Sequence, residues 1–188
     1  MRAFLALSVP EPVQAALGRL IQELRSAGDG AKWVHPSQIH LTLKFFAELT
    51  AEGLAALDAA VPEACAAAAP FPVAVDGLGS FGPADAVRVV WAGVQDPEGG
   101  LSAFQARLEE RLARAGFPRE ERPFTAHLTL CRVRSPRRNP ALRRRLSGRG
   151  SLALGSFRVD RLALYSSMLS PLGPEHRVER SYLFGGAV

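Results

Sequence analysis

The tetrapeptide His-Leu-Thr-Leu occurs twice in this chain, at His40 to Leu43 and at His127 to Leu130. The chain holds four histidines and four threonines, and two of those histidines carry a threonine two residues on. Random placement produces that coincidence in roughly 0.3% of shufflings, rare enough to ask what the pair does. On a β-strand, residues i and i+2 point to one face. Each copy therefore presents an imidazole and a hydroxyl together and turns its leucines to the core. Two such pairs facing each other make an acid–base site. Histidine takes or gives a proton near neutral pH. Cleaving a phosphodiester needs one group to deprotonate water and another to protonate the leaving oxygen. The hydroxyls of Thr42 and Thr129 suit the non-bridging oxygens and the charge that develops on them. Alternation places Lys44 on the face of His40, and Arg132 lies just beyond Thr129, so either can add a cation. It does not decide which histidine is acid and which base.

Other chemistries find little support. His35 and His40 are separated by Pro36, and no Asp, Glu or Cys accompanies them at ligand spacing, so no metal is expected. Cys65 and Cys131 match no metal-binding spacing, and Cys131 reads as a small core residue on a strand. No Gly-x-Ser-x-Gly elbow marks a serine hydrolase. His35 and His176 have no motif around them and are expected at surface or turn positions.

Elements must bring the two motifs together. Arg2 to Val9 reads as a strand and Glu11 to Ser26 as a helix with Val13, Leu17, Leu20, Ile21 and Leu24 on one stripe, ended by Gly28 and Gly30. Lys32 to Val34 is a short strand, and Ile39 to Phe46 carries the first motif. Thr50 caps an alanine-rich helix running to about Ala69. Phe71 to Gly79 and Val87 to Val94 are strands across a turn with Gly82, Pro83 and Asp85. Leu101, Phe104, Leu108 and Leu112 mark a third helix closed by Gly116, and Phe124 to Val133 carries the second motif. A short arginine-rich helix is expected near Pro140 to Leu146. Arg158 to Met168 and His176 to Phe184 are the closing strands, separated by Pro171, Gly173 and Pro174. Short turns between adjacent strands imply antiparallel pairing, hence an α+β fold. Residues 1–188 are expected to form one bilobal domain, two pseudo-symmetric lobes of antiparallel sheet with outer helices around a central cleft.

Composition agrees with a globular domain: 47% of residues are apolar and 22% charged. No run approaches the length of a membrane span, and a cytoplasmic protein without disulfides is expected. The net charge is +5. No Asp or Glu stands between Pro123 and Val159, while Arg132, Arg134, Arg137, Arg138, Arg143, Arg144, Arg145 and Arg149 crowd that segment. Such a patch attracts polyanions, although no aromatics are interleaved with it for base stacking.

With these residues in view, the chain resembles the two-histidine phosphoesterases, and more closely the bacterial and archaeal RNA 2′,3′-cyclic phosphodiesterases, historically called 2′-5′ RNA ligases. The resemblance rests on Arg2 to Leu7, on Trp33 to Pro36 leading into His40 to Phe46, and on Val90 to Val94. It continues through Arg122 to Arg132 and the closing hairpin from Leu164 to Gly173. Ala47 stands where a glycine is usual, Ala126 where a proline often precedes the histidine, and His176 where a tyrosine is common. The resemblance implies a bilobal fold with a central cleft, and hydrolysis of RNA 2′,3′-cyclic phosphodiester ends to 2′-phosphomonoesters without metal or cofactor. His40 would be the proton donor and His127 the proton acceptor. Thr42, Thr129 and Arg132 would hold the phosphate, and a base would stack on Phe45 or Phe46. The implied partner is RNA with a cyclic phosphate terminus, or a small cyclic nucleotide, acted on by a monomer. Two other readings stand beside it: an RNA-binding module without turnover, and 2′-5′ ligation as the reverse reaction.

Overall fold

A computed structural model describes residues 1–25, 30–83, 86–133, 140–147, 151–170 and 173–185. Gly28, Asp85, Arg134, Arg137, Arg138, Arg149 and Pro171 of the sequence reading lie outside the described residues. The order is β1 (Ala3–Ser8), α1 (Glu11–Leu24), β2 (Ala31–Trp33), a 3₁₀ turn (Pro36–Gln38), β3 (His40–Phe46) and α2 (Ala51–Ala66). There follow β4 (Phe71–Phe81), β5 (Val89–Gln95), α3 (Gly100–Arg114), β6 (His127–Val133), α4 (Pro140–Leu146), β7 (Ala153–Val159), β8 (Arg161–Ser170) and β9 (Gly173–Leu183).

The strands form two antiparallel sheets, one in the order β3-β1-β8-β9 and the other β2-β6-β5-β4-β7. The expected α+β class and its two sheets are therefore present, with one motif strand in each. β1 is central in its sheet and is buried from Ala3 to Leu7, which explains an apolar run without alternation. The helices bury the stripes that periodicity marks, including Leu17 and Leu24 on α1 and Phe104 and Leu112 on α3. Thr50 caps α2 by accepting a bond from the Gly53 amide at 3.1 Å. One hydrophobic core runs through both sheets.

The chain does not build one sheet and then the other. β2 belongs to the second sheet, while β1 and β3 on either side of it belong to the first. The reading of Arg158 to Met168 as one strand is corrected here. Val159 ends β7 opposite Phe71, and Arg161 opens β8 opposite Leu183 in the other sheet. The chain changes sheets at Asp160, whose carbonyl accepts the Phe184 amide at 2.8 Å. β7 escapes detection because its pattern is broken at Gly155, which has φ +125°, a conformation that side chains other than glycine's rarely adopt.

Candidate active site

β3 and β6 each carry a motif, and their burial sequences match residue for residue: half-buried, buried, half-buried, two buried, exposed, buried. Strict alternation cannot produce two buried residues in succession, and a bulge accounts for them. Between β1 and β3 the register runs Ala6 to Thr42 and then Leu5 to Lys44, which leaves Leu43 unpaired. Between β5 and β6 it runs Trp91 to Thr129 and then Val90 to Cys131, which leaves Leu130 unpaired. The last leucine of each motif is the extra residue of a bulge, a device that re-aims side chains beside active sites.

This shift corrects one expectation and sends the two phenylalanines to opposite sides. Lys44 does not share the face of His40. Its ammonium is buried on the opposite side, donating to the Pro118 carbonyl at 2.6 Å and to Glu109 at 3.1 Å, with Glu120 at 3.4 Å. It ties β3 to the segment after α3 and does not line the cleft. Of the two phenylalanines, Phe45 lies at the cleft, 45% exposed, and Phe46 is in the core. Arg132, the equivalent of Phe45 on β6, is brought to the cleft in the same way.

The cleft has a volume of about 590 Å³ and is lined from both sheets by His40, Thr42 and Phe45 and by His127, Thr129 and Arg132. Arg2, Phe4, Lys32, Trp33 and Ser167 also line it, and His176, expected at a surface or turn, lies in its wall. These were missed because they come from β1 and the residue before it, β2, β8 and β9, and no linear pattern links them to the motifs. His35 does sit in a turn, its Nδ1 2.8 Å from the Ser37 hydroxyl. Among the described lining residues there is no carboxylate, so the cleft favours an anion.

Both motif histidines are clamped alike. Nδ1 of His40 donates to the Gln38 carbonyl at 2.7 Å, and Nδ1 of His127 donates to the Thr125 carbonyl at 2.7 Å. A carbonyl only accepts, so the proton of the neutral ring is on Nδ1 and Nε2 is left for a ligand. Aromatic rings fix each imidazole from the side. His40 stacks on Phe4 at 4.5 Å, and Phe4 on Tyr165 at 5.1 Å. His127 meets the edge of Phe81 at 5.0 Å and lies 6.2 Å from Trp91. Burial pushes the His40 imidazole down to about 4; the Gln38 carbonyl opposes this, and His176 and Arg132 add to it. Cys65 and Cys131 are both buried in the core. Among the described residues, no cluster of three or more His, Cys, Asp or Glu side chains is placed to hold a metal ion.

Comparison with known proteins agrees with this geometry. A family model for the 2′-5′ RNA ligase superfamily matches residues 9–168. The RNA 2′,3′-cyclic phosphodiesterase of Methanothermobacter thermautotrophicus is 34% identical over 174 residues, covering 93% of this chain and 94% of its own. The enzyme of that name from Thermus thermophilus is 32% identical over 191 residues, covering 99% and 91%. The crystal structure of a Thermus thermophilus protein superposes with a TM-score of 0.79 at 32% identity, covering 99% of each chain. Escherichia coli LigT complexed with 3′-AMP shares the fold at a TM-score of 0.80 and 23% identity, covering 97% of each chain. With matched motifs on matched bulged strands and relatives aligned along nearly their whole length, the chain belongs to the 2′-5′ RNA ligase superfamily.

Proposed function

We propose that the chain hydrolyses RNA 2′,3′-cyclic phosphodiester ends to 2′-phosphomonoesters, with His127 as base and His40 as acid. The observation that carries this is the matched clamping of both imidazoles by Nδ1 in one cleft lined with cations and without carboxylates. His127 Nε2 takes a proton from water as its oxygen attacks phosphorus. The bond from phosphorus to the 3′ oxygen breaks, and His40 Nε2 gives that oxygen a proton. Atoms and charge balance: one water is consumed, a 3′ hydroxyl and a 2′-phosphomonoester result, and the two imidazoles exchange protonation states, which solvent restores. Thr42, Thr129 and Arg132 hold the non-bridging oxygens, and a base stacks on Phe45, over which the Arg2 guanidinium lies at 5.5 Å.

An acid must hold a proton, and His40 is pushed down to about 4 in the free protein. A phosphodiester anion beside it favours the imidazolium, so substrate binding loads the acid with its proton. We place this activity in a cytoplasmic monomer. The direct test incubates an oligoribonucleotide ending in a 2′,3′-cyclic phosphate with the protein in EDTA and compares the product with 2′- and 3′-phosphate standards. The expected product is the 2′-phosphate. His40→Ala and His127→Ala should each lower turnover by at least ~10²-fold with unchanged melting. RNA binding without conversion by the wild type would leave an RNA-binding module in its place.

A further inference from the structure

His176 is the histidine in the cleft that neither motif supplies. It stands on β9 opposite Ser167 of β8, and the two form the cleft wall on the side of His40. Its ring meets Phe4 edge-on at 4.9 Å and His40 edge-on at 5.4 Å. Its Nδ1 is sealed from solvent with no hydrogen-bond partner. A buried polar atom without a partner is a loss to stability, so the fold alone does not account for a histidine here. With Nδ1 sealed, contact with a ligand falls to Nε2.

The titratable and charged groups that line the cleft with it are His40 from β3, Lys32 from β2, His127 and Arg132 from β6 and Arg2 beside β1, with Tyr165 of β8 stacked behind Phe4 and His40. None is an anion, and a protonated His176 would face a protonated His40 across 5.4 Å. Burial holds both imidazoles below the ordinary histidine range. The missing partner for either imidazolium is an anion brought in from outside.

We propose that His176 is a third phosphate-contacting histidine, which grips a non-bridging oxygen while His40 serves the leaving oxygen. The inference rests on the phosphodiester reading of the cleft. A cyclic phosphate brings one negative charge, and the phosphomonoester product brings up to two. The second charge is matched when His40 and His176 both hold protons.

The chain has four histidines, few enough for each ring signal to be followed by NMR. The experiment titrates wild type, His176→Phe and His176→Gln between pH 4 and 9, with and without inorganic phosphate. Phosphate should raise the His176 midpoint by about one pH unit and leave His35, outside the cleft, in place. His176→Phe should bind phosphate roughly three- to tenfold more weakly, while His176→Gln, which keeps a donor, retains more affinity. Removing the neighbouring charge should also raise the His40 midpoint in His176→Phe. A His176 midpoint indifferent to phosphate, or undiminished phosphate binding by His176→Phe, overturns the proposal. If His176→Phe does not fold, His176→Leu, which also lacks a donor, carries the same comparison. Turnover of cyclic-phosphate RNA is assayed separately. Its absence beside a positive phosphate titration would sink the hydrolysis reading and leave this contact standing.

Discussion

A histidine buried as His40 is acts on stability as well as on chemistry. Its folded pKa lies near 4, against about 6.5 in the unfolded chain. Between those values the unfolded state binds more protons, so stability falls as pH drops through that window. Wild type should lose on the order of 3 kcal/mol more than His40→Gln between pH 7.5 and 4. Urea melts at the two pH values check this, and equal losses would show that the ring is not desolvated. Lys44 makes the opposite case, a charge kept for structure. Lys44→Ala strands Glu109, itself only 13% exposed, and should cost roughly 3 kcal/mol while kcat stays within twofold of wild type. A kcat collapse at full stability would return Lys44 to the cleft. The sequence made the motif residues legible because a repeat of chemically capable side chains stands out. It misled on Lys44 because strict alternation takes no account of an extra residue in the strand.

Among the elements, helices were legible and strand edges less so. α1 and α3 each bury a stripe that their own residues announce. β7 depends on its partner β4 and on a glycine at φ +125°, neither of which local pattern reveals. The bulges at Leu43 and Leu130 were equally hidden, although both follow the same tetrapeptide. One cross-strand pair supports the second motif. Gly79 of β4 lies opposite Trp91 of β5, and a Cβ at Gly79 would sit 2.1 Å from the indole. The ring fills the space that a side chain would take, and it stands beside His127. Gly79→Val should displace Trp91, lower kcat about tenfold or more and shift the tryptophan fluorescence. Unchanged kcat with a shifted spectrum would show that His127 needs no such wall.

Across the whole molecule, charge has two uses. Arg143 and Arg144 of α4 are exposed, whereas Arg145 turns inward to donate to the Leu24 carbonyl at the end of α1 at 2.9 Å. That bond satisfies an orphan helix carbonyl. Of these three arginines, the exposed pair is the better placed to capture RNA electrostatically. A double Arg143→Ala, Arg144→Ala variant should weaken capture of long RNA several-fold, flatten its salt dependence and leave a small cyclic nucleotide unaffected. Equal losses on both substrates would assign the pair to the cleft itself. No helix of the described residues is long and apolar enough to cross a membrane. The central place of β1 has a consequence for how the protein is made. β1 leaves the ribosome long before β8, the strand that completes its pairing. Until then one edge of a strand that is apolar from Ala3 to Leu7 has nothing to pair with, and such edges recruit other chains. Closing so distant a pair is slow. The nascent chain therefore passes through a vulnerable interval that ends only when the β8–β9 hairpin emerges, and the cleft, whose wall includes His176 of that hairpin, cannot be complete before then.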